Sequence, residues 1–238
     1  TAMTSIDFGG PVAAGAGGLT AAAFGDISFA APVETTAGGA VTITNGGTLT
    51  IPAAADVTAD GAFLQGGAGD VRIAGDITTA GAPLTIGSTT TVLGPVVLDS
   101  AGGLLTVSAT VGGDGGGNDE LTLQAGAGSI VADVTIGAPL ALEAFTLGPN
   151  AGATLGAVRT RTDQRYESAG SIALRGGEYR STDSGTIEIA GAVELGAPAV
   201  TVATAGAPGN DVLITASVDA AAPGIEALTI SAGAGSVT

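Results

Sequence analysis

Two glycine-rich loops carry the carboxylates best spaced to hold a cation. Gly112-Gly113-Asp114-Gly115-Gly116-Gly117-Asn118-Asp119-Glu120-Leu121 and Gly206-Ala207-Pro208-Gly209-Asn210-Asp211-Val212-Leu213 each resemble a single copy of the G-G-x-G-x-D-x-U-x nonapeptide. In that pattern glycines bend the loop so that carbonyl and Asp oxygens converge on Ca²⁺, a hard ion wanting many oxygen ligands. Asp119 and Asp211 are therefore the candidate Ca²⁺ ligands. A calcium roll shares each ion between consecutive turns, and isolated copies read first as structural turns. No other cofactor is expected.

A second cluster is cationic. Five of the six arginines, Arg159, Arg161, Arg165, Arg175 and Arg180, fall close together, with Asp163, Glu167 and Glu178 among them. The alternation Arg159-Thr160-Arg161 fits a strand whose arginines face solvent in ion pairs. An anion or glycan site is the sharper reading of the same residues. Asp163, Glu167 and Glu178 with Arg165 could also be drawn as the acid and base of a polysaccharide-acting enzyme, whose carboxylate separation would decide the matter. Short loops and few aromatics to stack on sugars argue against catalysis, and the chain is expected not to be an enzyme.

Much chemistry is excluded outright. With no His and no Cys, the chain can form no disulfide, thiolate site or Ser-His-Asp triad. The net charge of −16, from 22 acidic residues in no long block against six arginines, makes nucleic acid and anionic membrane surfaces poor partners. A mean hydropathy of +0.51 comes from short apolar runs broken by Gly, Asp or Pro, none approaching the run of about 20 residues that spans a bilayer. Five Phe and two Tyr could not build the aromatic girdles of a transmembrane barrel. The chain is not expected to be membrane-inserted.

What positions these residues is a repeated, strand-rich framework. Leu121-Thr122-Leu123-Gln124-Ala125-Gly126-Ala127-Gly128-Ser129-Ile130 returns 107 residues later as Leu228-Thr229-Ile230-Ser231-Ala232-Gly233-Ala234-Gly235-Ser236-Val237. The run 106–120 keeps register with 213–227. Ser5-Ile6 matches the phase of Ser129-Ile130, so one segment, 1–238, is expected to hold two repeats (about 5–128 and 129–235), with a third beginning at 236. Between the repeats' ends, strand-like runs such as Val41-Thr42-Ile43-Thr44 and Thr186-Ile187-Glu188-Ile189 recur about every ten residues. Gly-Ala-Pro punctuates them at Gly81, Gly137, Gly196 and Gly206, supplying a permissive corner followed by a residue that denies a ladder donor.

Forty-two Gly, 3% aromatics and no Trp describe a narrow core of small aliphatics. A β-sandwich must fill about 10 Å between its sheets and usually does so with larger side chains. The reading is therefore an all-β, right-handed parallel β-helix (β-solenoid) of about twelve coils and about 57 Å, with tandem β-sandwich repeats as the alternative.

The segment Val158-Arg159-Thr160-Arg161-Thr162-Asp163-Gln164-Arg165-Tyr166-Glu167-Ser168-Ala169-Gly170-Ser171-Ile172-Ala173-Leu174 resembles the V-x-T-x-x-D-Q-x-Y-x-x-A-V-x-L stretch of filamentous-haemagglutinin-like adhesins and related β-strand-repeat bacterial surface proteins. The phrase at Leu228 to Val237 is similar to their repeats. This resemblance implies a right-handed parallel β-helix, export across the outer membrane, and a fibrous or adhesive role. The expected function is a stiff rod or self-associating filament body at the bacterial cell surface. Its partners would be neighbouring repeats, end to end or laterally, or a host or cell-surface glycan. A calcium-stabilised sandwich stalk is the alternative.

Overall fold

The computed structural model describes residues 3–206, 208–222, 224 and 226–238. Ala207, inside the second Asp-bearing loop and the fourth Gly-Ala-Pro, lies outside the described residues, as do Pro223 and Ile225 of the repeated run. Among the described residues every regular element is a β-strand of three to five residues, and every ladder is parallel.

The chain winds as a three-faced β-solenoid. The first coil lays Ile6–Phe8 on face 1, Val12–Ala14 on face 2 and Leu19–Ala23 on face 3, and each later coil adds the next strand to each face. On face 1 the stacked inward residues run Ile6, Ile27, Leu49, Val71, Thr90, Val111, Ile136, Val158, Tyr179, Val202 and Ile230. These positions begin coils 1 to 10, with Ile230 opening one more. Faces 2 and 3 are unbroken ten-stranded sheets. Face 1 narrows at coil 7 to a single bridging residue, Ile136, before Gly137-Ala138-Pro139. The architecture is the solenoid and not the sandwich, whose sheets would be antiparallel.

Ten coils replace the twelve expected because the corners are roomier than a minimal turn. Coil advance runs from 19 residues (Val71 to Thr90) to 28 (Val202 to Ile230). At about 4.8 Å per strand, ten coils span about 43 Å from first to last.

Strand alternation explains the burial. In Val41–Asn45 the residues Val41, Ile43 and Asn45 point inward, while Thr42 and Thr44 face out. Val, Ile, Leu and Ala fill most of the core, and the few aromatics concentrate rather than spread. Phe145, Tyr166 and Tyr179 form one buried cluster of tilted and edge-to-face rings with centroids 5.7 and 6.3 Å apart. Phe8 lies flat on Phe29 at 4.8 Å near the first coil.

The repeated phrase makes the same local structure twice, on different faces. Both copies run from a strand into a turn closed by a 2.7 Å hydrogen bond, from Gly128 N to Ala125 O and from Gly235 N to Ala232 O. Gly126 and Gly233 sit at φ +55° and +56°, which glycine adopts without strain. Gly128 and Gly235 are required for another reason: a Cβ there would lie 1.9 Å from Gly103 O and 2.3 Å from Asn210 O of the preceding coil. Yet Leu121 stands on face 2 and Leu228 on face 1.

Candidate functional site

The two candidate calcium ligands are held by their own backbone. Asp119 is buried, and its Oδ2 accepts N–H groups from Asp114 (3.0 Å) and Gly115 (3.1 Å), folding the glycine loop over the carboxylate. Burial pushes its pKa above the ordinary value, opposed by the Gly115 N–H and reinforced by the Asp114 carboxylate. Asp211 uses Oδ1 to accept the Ser236 N–H at 2.6 Å. Both residues precede face 2 strands, but in coils 6 and 10, so about 19 Å of ladder separates them. They cannot share an ion. Among the described residues no group of three or more His, Cys, Asp or Glu is arranged to hold a metal.

Asp211 belongs to a set. Asp26 Oδ1 accepts Thr48 N at 2.7 Å, Asp163 Oδ1 accepts Thr186 N at 2.7 Å, and Asp60 Oδ2 accepts Gly38 N at 2.6 Å. Asp56 Oδ1 accepts Asp76 N at 2.9 Å, and Asp76 in turn takes the Val97 N–H at 2.8 Å. At corners, where the ladder loses its regular partners, a carboxylate of one coil satisfies an amide of its neighbour. Many of the acidic residues that give the chain its charge are thus ties between coils.

The arginine cluster is an ion-paired surface across coils 7 to 9. Arg159 and Arg180 are direct ladder partners, and Glu178 reaches both, at 2.6 and 3.6 Å. Arg161 pairs with Asp183 at 3.0 Å and Glu143 at 3.4 Å, and its guanidinium is held more firmly protonated, first by the Asp183 hydrogen bond. Glu143 Oε2 is sealed from solvent with no hydrogen bond, facing only that cation. Arg165 pairs with Glu167 and, at 3.8 Å, with its ladder partner Glu188. Thr160 points inward between the two outward arginines, as alternation requires. The carboxylates of the enzyme reading do not converge: Glu178 lies on face 1, Glu167 on face 2, and Asp163 caps the Thr186 amide.

Sequence reasoning missed the polar stacks inside the corners. Gln65 bridges three coils: its Nε2 donates to Asn45 Oδ1 (2.9 Å) and Ser88 Oγ (3.1 Å), while its Oε1 accepts from Gly87 N (3.1 Å) and Ser88 N (3.2 Å). Asn45 Nδ2 donates to Gly47 O and Asp70 O. At the next corner Thr79 Oγ1 and Ser100 Oγ bond the carbonyls of Ala82 and Gly103, closing the turns from inside. For Asn45 and Gln65 the available signal was a polar residue at an inward strand position just before Gly.

Fold and surface together define a parallel β-solenoid repeat protein whose polar side chains mostly join coil to coil. No protein-family model, no curated protein and no solved structure matches the chain.

Proposed function

We propose that this chain is a stiff structural rod in a bacterial extracellular fibre or filamentous adhesin, working by mechanical continuity and without catalysis. The observation that carries the reading is the inter-coil use of side chains: Asp caps, Gln65-type bridges and stacked aliphatics tie successive coils. Parallel strands stacked coil on coil form ladders that a further coil extends without changing register, which suits end-to-end continuation. The charge of −16 keeps such a rod solvated.

Immunogold labelling of intact producing cells, followed by negative-stain microscopy of the protein released from them, tests this. Label on the cell surface and thin continuous rods are expected. Label confined to the cell interior, or compact particles with no elongated form, would refute it.

A further inference from the structure

The charges of this molecule avoid one face. On face 3 the outward central file runs Thr20, Thr42, Leu64, Thr85, Thr106, Val131, Thr154 and Ala173 through coils 1 to 8, and only then reaches Glu194 and Asp219. The file just before it, from Gly18 and Ala40 through Leu104 and Ser129 to Ser217, carries no charge in any coil. The corresponding files of faces 1 and 2 hold Asp7, Arg72, Arg159 and Arg180, and Glu34, Arg165 and Glu188. In a chain with 28 charged residues, an uncharged sheet eight coils long is a distinct surface.

That surface has relief as well. Leu64 and Val131 stand out of the threonine file at 42% and 37% exposure, and Leu104 beside it at 45%. Further along, a shallow depression is lined by Val131, Gly152, Thr154, Ser171, Ala173 and Glu194.

We infer that face 3 pairs with face 3 of a second copy of this chain, the two solenoid axes antiparallel, about a two-fold axis lying along the strands. This arrangement sets coil 1 opposite coil 10 and keeps each file facing its own counterpart. Leu64 then meets Ala173 in the depression, Leu104 meets Ser129, and Val131 meets Thr106, so each large apolar side chain faces a smaller one. Glu194 falls opposite Thr42, and Asp219 opposite Thr20. The border residues Asp133 and Arg175 fall opposite Ser108 and Gly66. No like charges stand directly opposite, and the two Asp133 side chains, at the border of the face, fall one coil apart. The parallel arrangement instead stacks Glu194 on Glu194 and Asp219 on Asp219, which like-charge repulsion disfavours.

The area is adequate. The nine intervals of about 4.8 Å between ten strands and a width of about five residues at about 3.3 Å give about 700 Å² per copy. The total of about 1,400 Å² lies within the usual range for a specific interface. Two bodies of charge −16 repel at long range, and meeting through the uncharged face keeps their carboxylates farthest apart. This pairing rests on the charge map of the solenoid and is independent of where the protein resides.

Sedimentation velocity of the whole chain across a wide concentration range tests it, with Thr85→Asp and Thr154→Lys as probes. Both side chains face outward, in coils 4 and 7, which the antiparallel arrangement places opposite each other. A dimer is expected that tightens as salt rises. Each single variant should weaken it at least about tenfold, since a lone charge enters the uncharged middle of the interface, and the double variant should recover most of that loss. Unchanged melting temperatures would show that all the variants fold. A monomer at every concentration overturns the inference, as does a double variant no tighter than the singles. Association that only end-coil substitutions abolish would support end-to-end extension and overturn the lateral pairing.

Discussion

Gln65 is the most exposing test of how the coils hold together, because one side chain serves three of them. Its amide is buried and makes four hydrogen bonds, to Asn45, Gly87 and Ser88. In Gln65→Leu, Gly87 N keeps its second acceptor, the Gln65 backbone carbonyl at 3.0 Å, and Ser88 Oγ keeps Gly67 O at 3.2 Å. Asn45 Oδ1 and Ser88 N are left buried without a partner. At about 2 kcal/mol for each stranded group, and about 1.5 kcal/mol returned by the apolar leucine, the net loss is about 2.5 kcal/mol. Urea unfolding followed by far-UV circular dichroism measures it, and hydrogen exchange should localise the weakening to coils 2 to 4. A double-mutant cycle with Asn45→Ala should show coupling of about 1 kcal/mol or more, because removing both partners removes the stranded acceptor. Gln65→Leu within about 0.5 kcal/mol of the parent would refute the idea that these polar stacks hold neighbouring coils.

Other outcomes follow from the same geometry. Gly128→Ala should cost about 1–3 kcal/mol, since its Cβ would enter the Gly103 carbonyl, whereas Gly17→Ala, with nothing within 4 Å, should cost about 1 kcal/mol or less; thermal melts compare the two. Asp119 has a raised folded pKa, so it stabilises most below the ordinary aspartate value of 3.8, and that contribution is lost as pH rises through the raised value. Asp119→Asn should therefore gain stability relative to the parent as pH climbs through the carboxylate range, and parallel pH–stability curves would contradict this. Burial raises both tyrosines, Tyr166 well above its ordinary value of 10, so their stabilising contribution persists below that pH and disappears as pH climbs toward the folded values. Absorbance titration of the only two tyrosines should show no ionisation near pH 10, then both together when the fold opens. Calcium or a chelator should leave the melting temperature unchanged, because Asp119 and Asp211 are engaged by backbone amides about 19 Å apart.

Periodicity and composition were enough to read the winding. Runs such as Val41-Thr42-Ile43-Thr44 alternate so plainly that their inward faces follow, and small aliphatics pointed to a narrow coil. Corner length was less legible, because it depends on how far each turn swings out; that is why ten coils stand where twelve were expected. The phrase ending in Ala-Gly-Ala-Gly-Ser announced a shared strand and turn, and the structure builds the same turn twice. Its face could not be read, since three-residue strands on all three faces ask for the same side chains. Arg159 and Arg161 were legible as an outward pair by alternation alone. Glu178 was near them in sequence, but its bridging of Arg159 and Arg180 depends on ladder register across coils. The bridging role of Gln65 has no local mark, because its partners Asn45 and Ser88 lie 20 and 23 residues away.

The parallel ladders also decide how the molecule meets a pull. Among the described residues the backbone ladders run coil to coil along the long axis, so tension along that axis loads the coils in series. A coil of 21 residues, such as Ile6 to Ile27, occupies about 4.8 Å of axis and pays out about 70 Å of chain. Drawn out fully, the 238 residues would reach about 800 Å, so the wound rod is a reel that stores about 18 times its own length of chain.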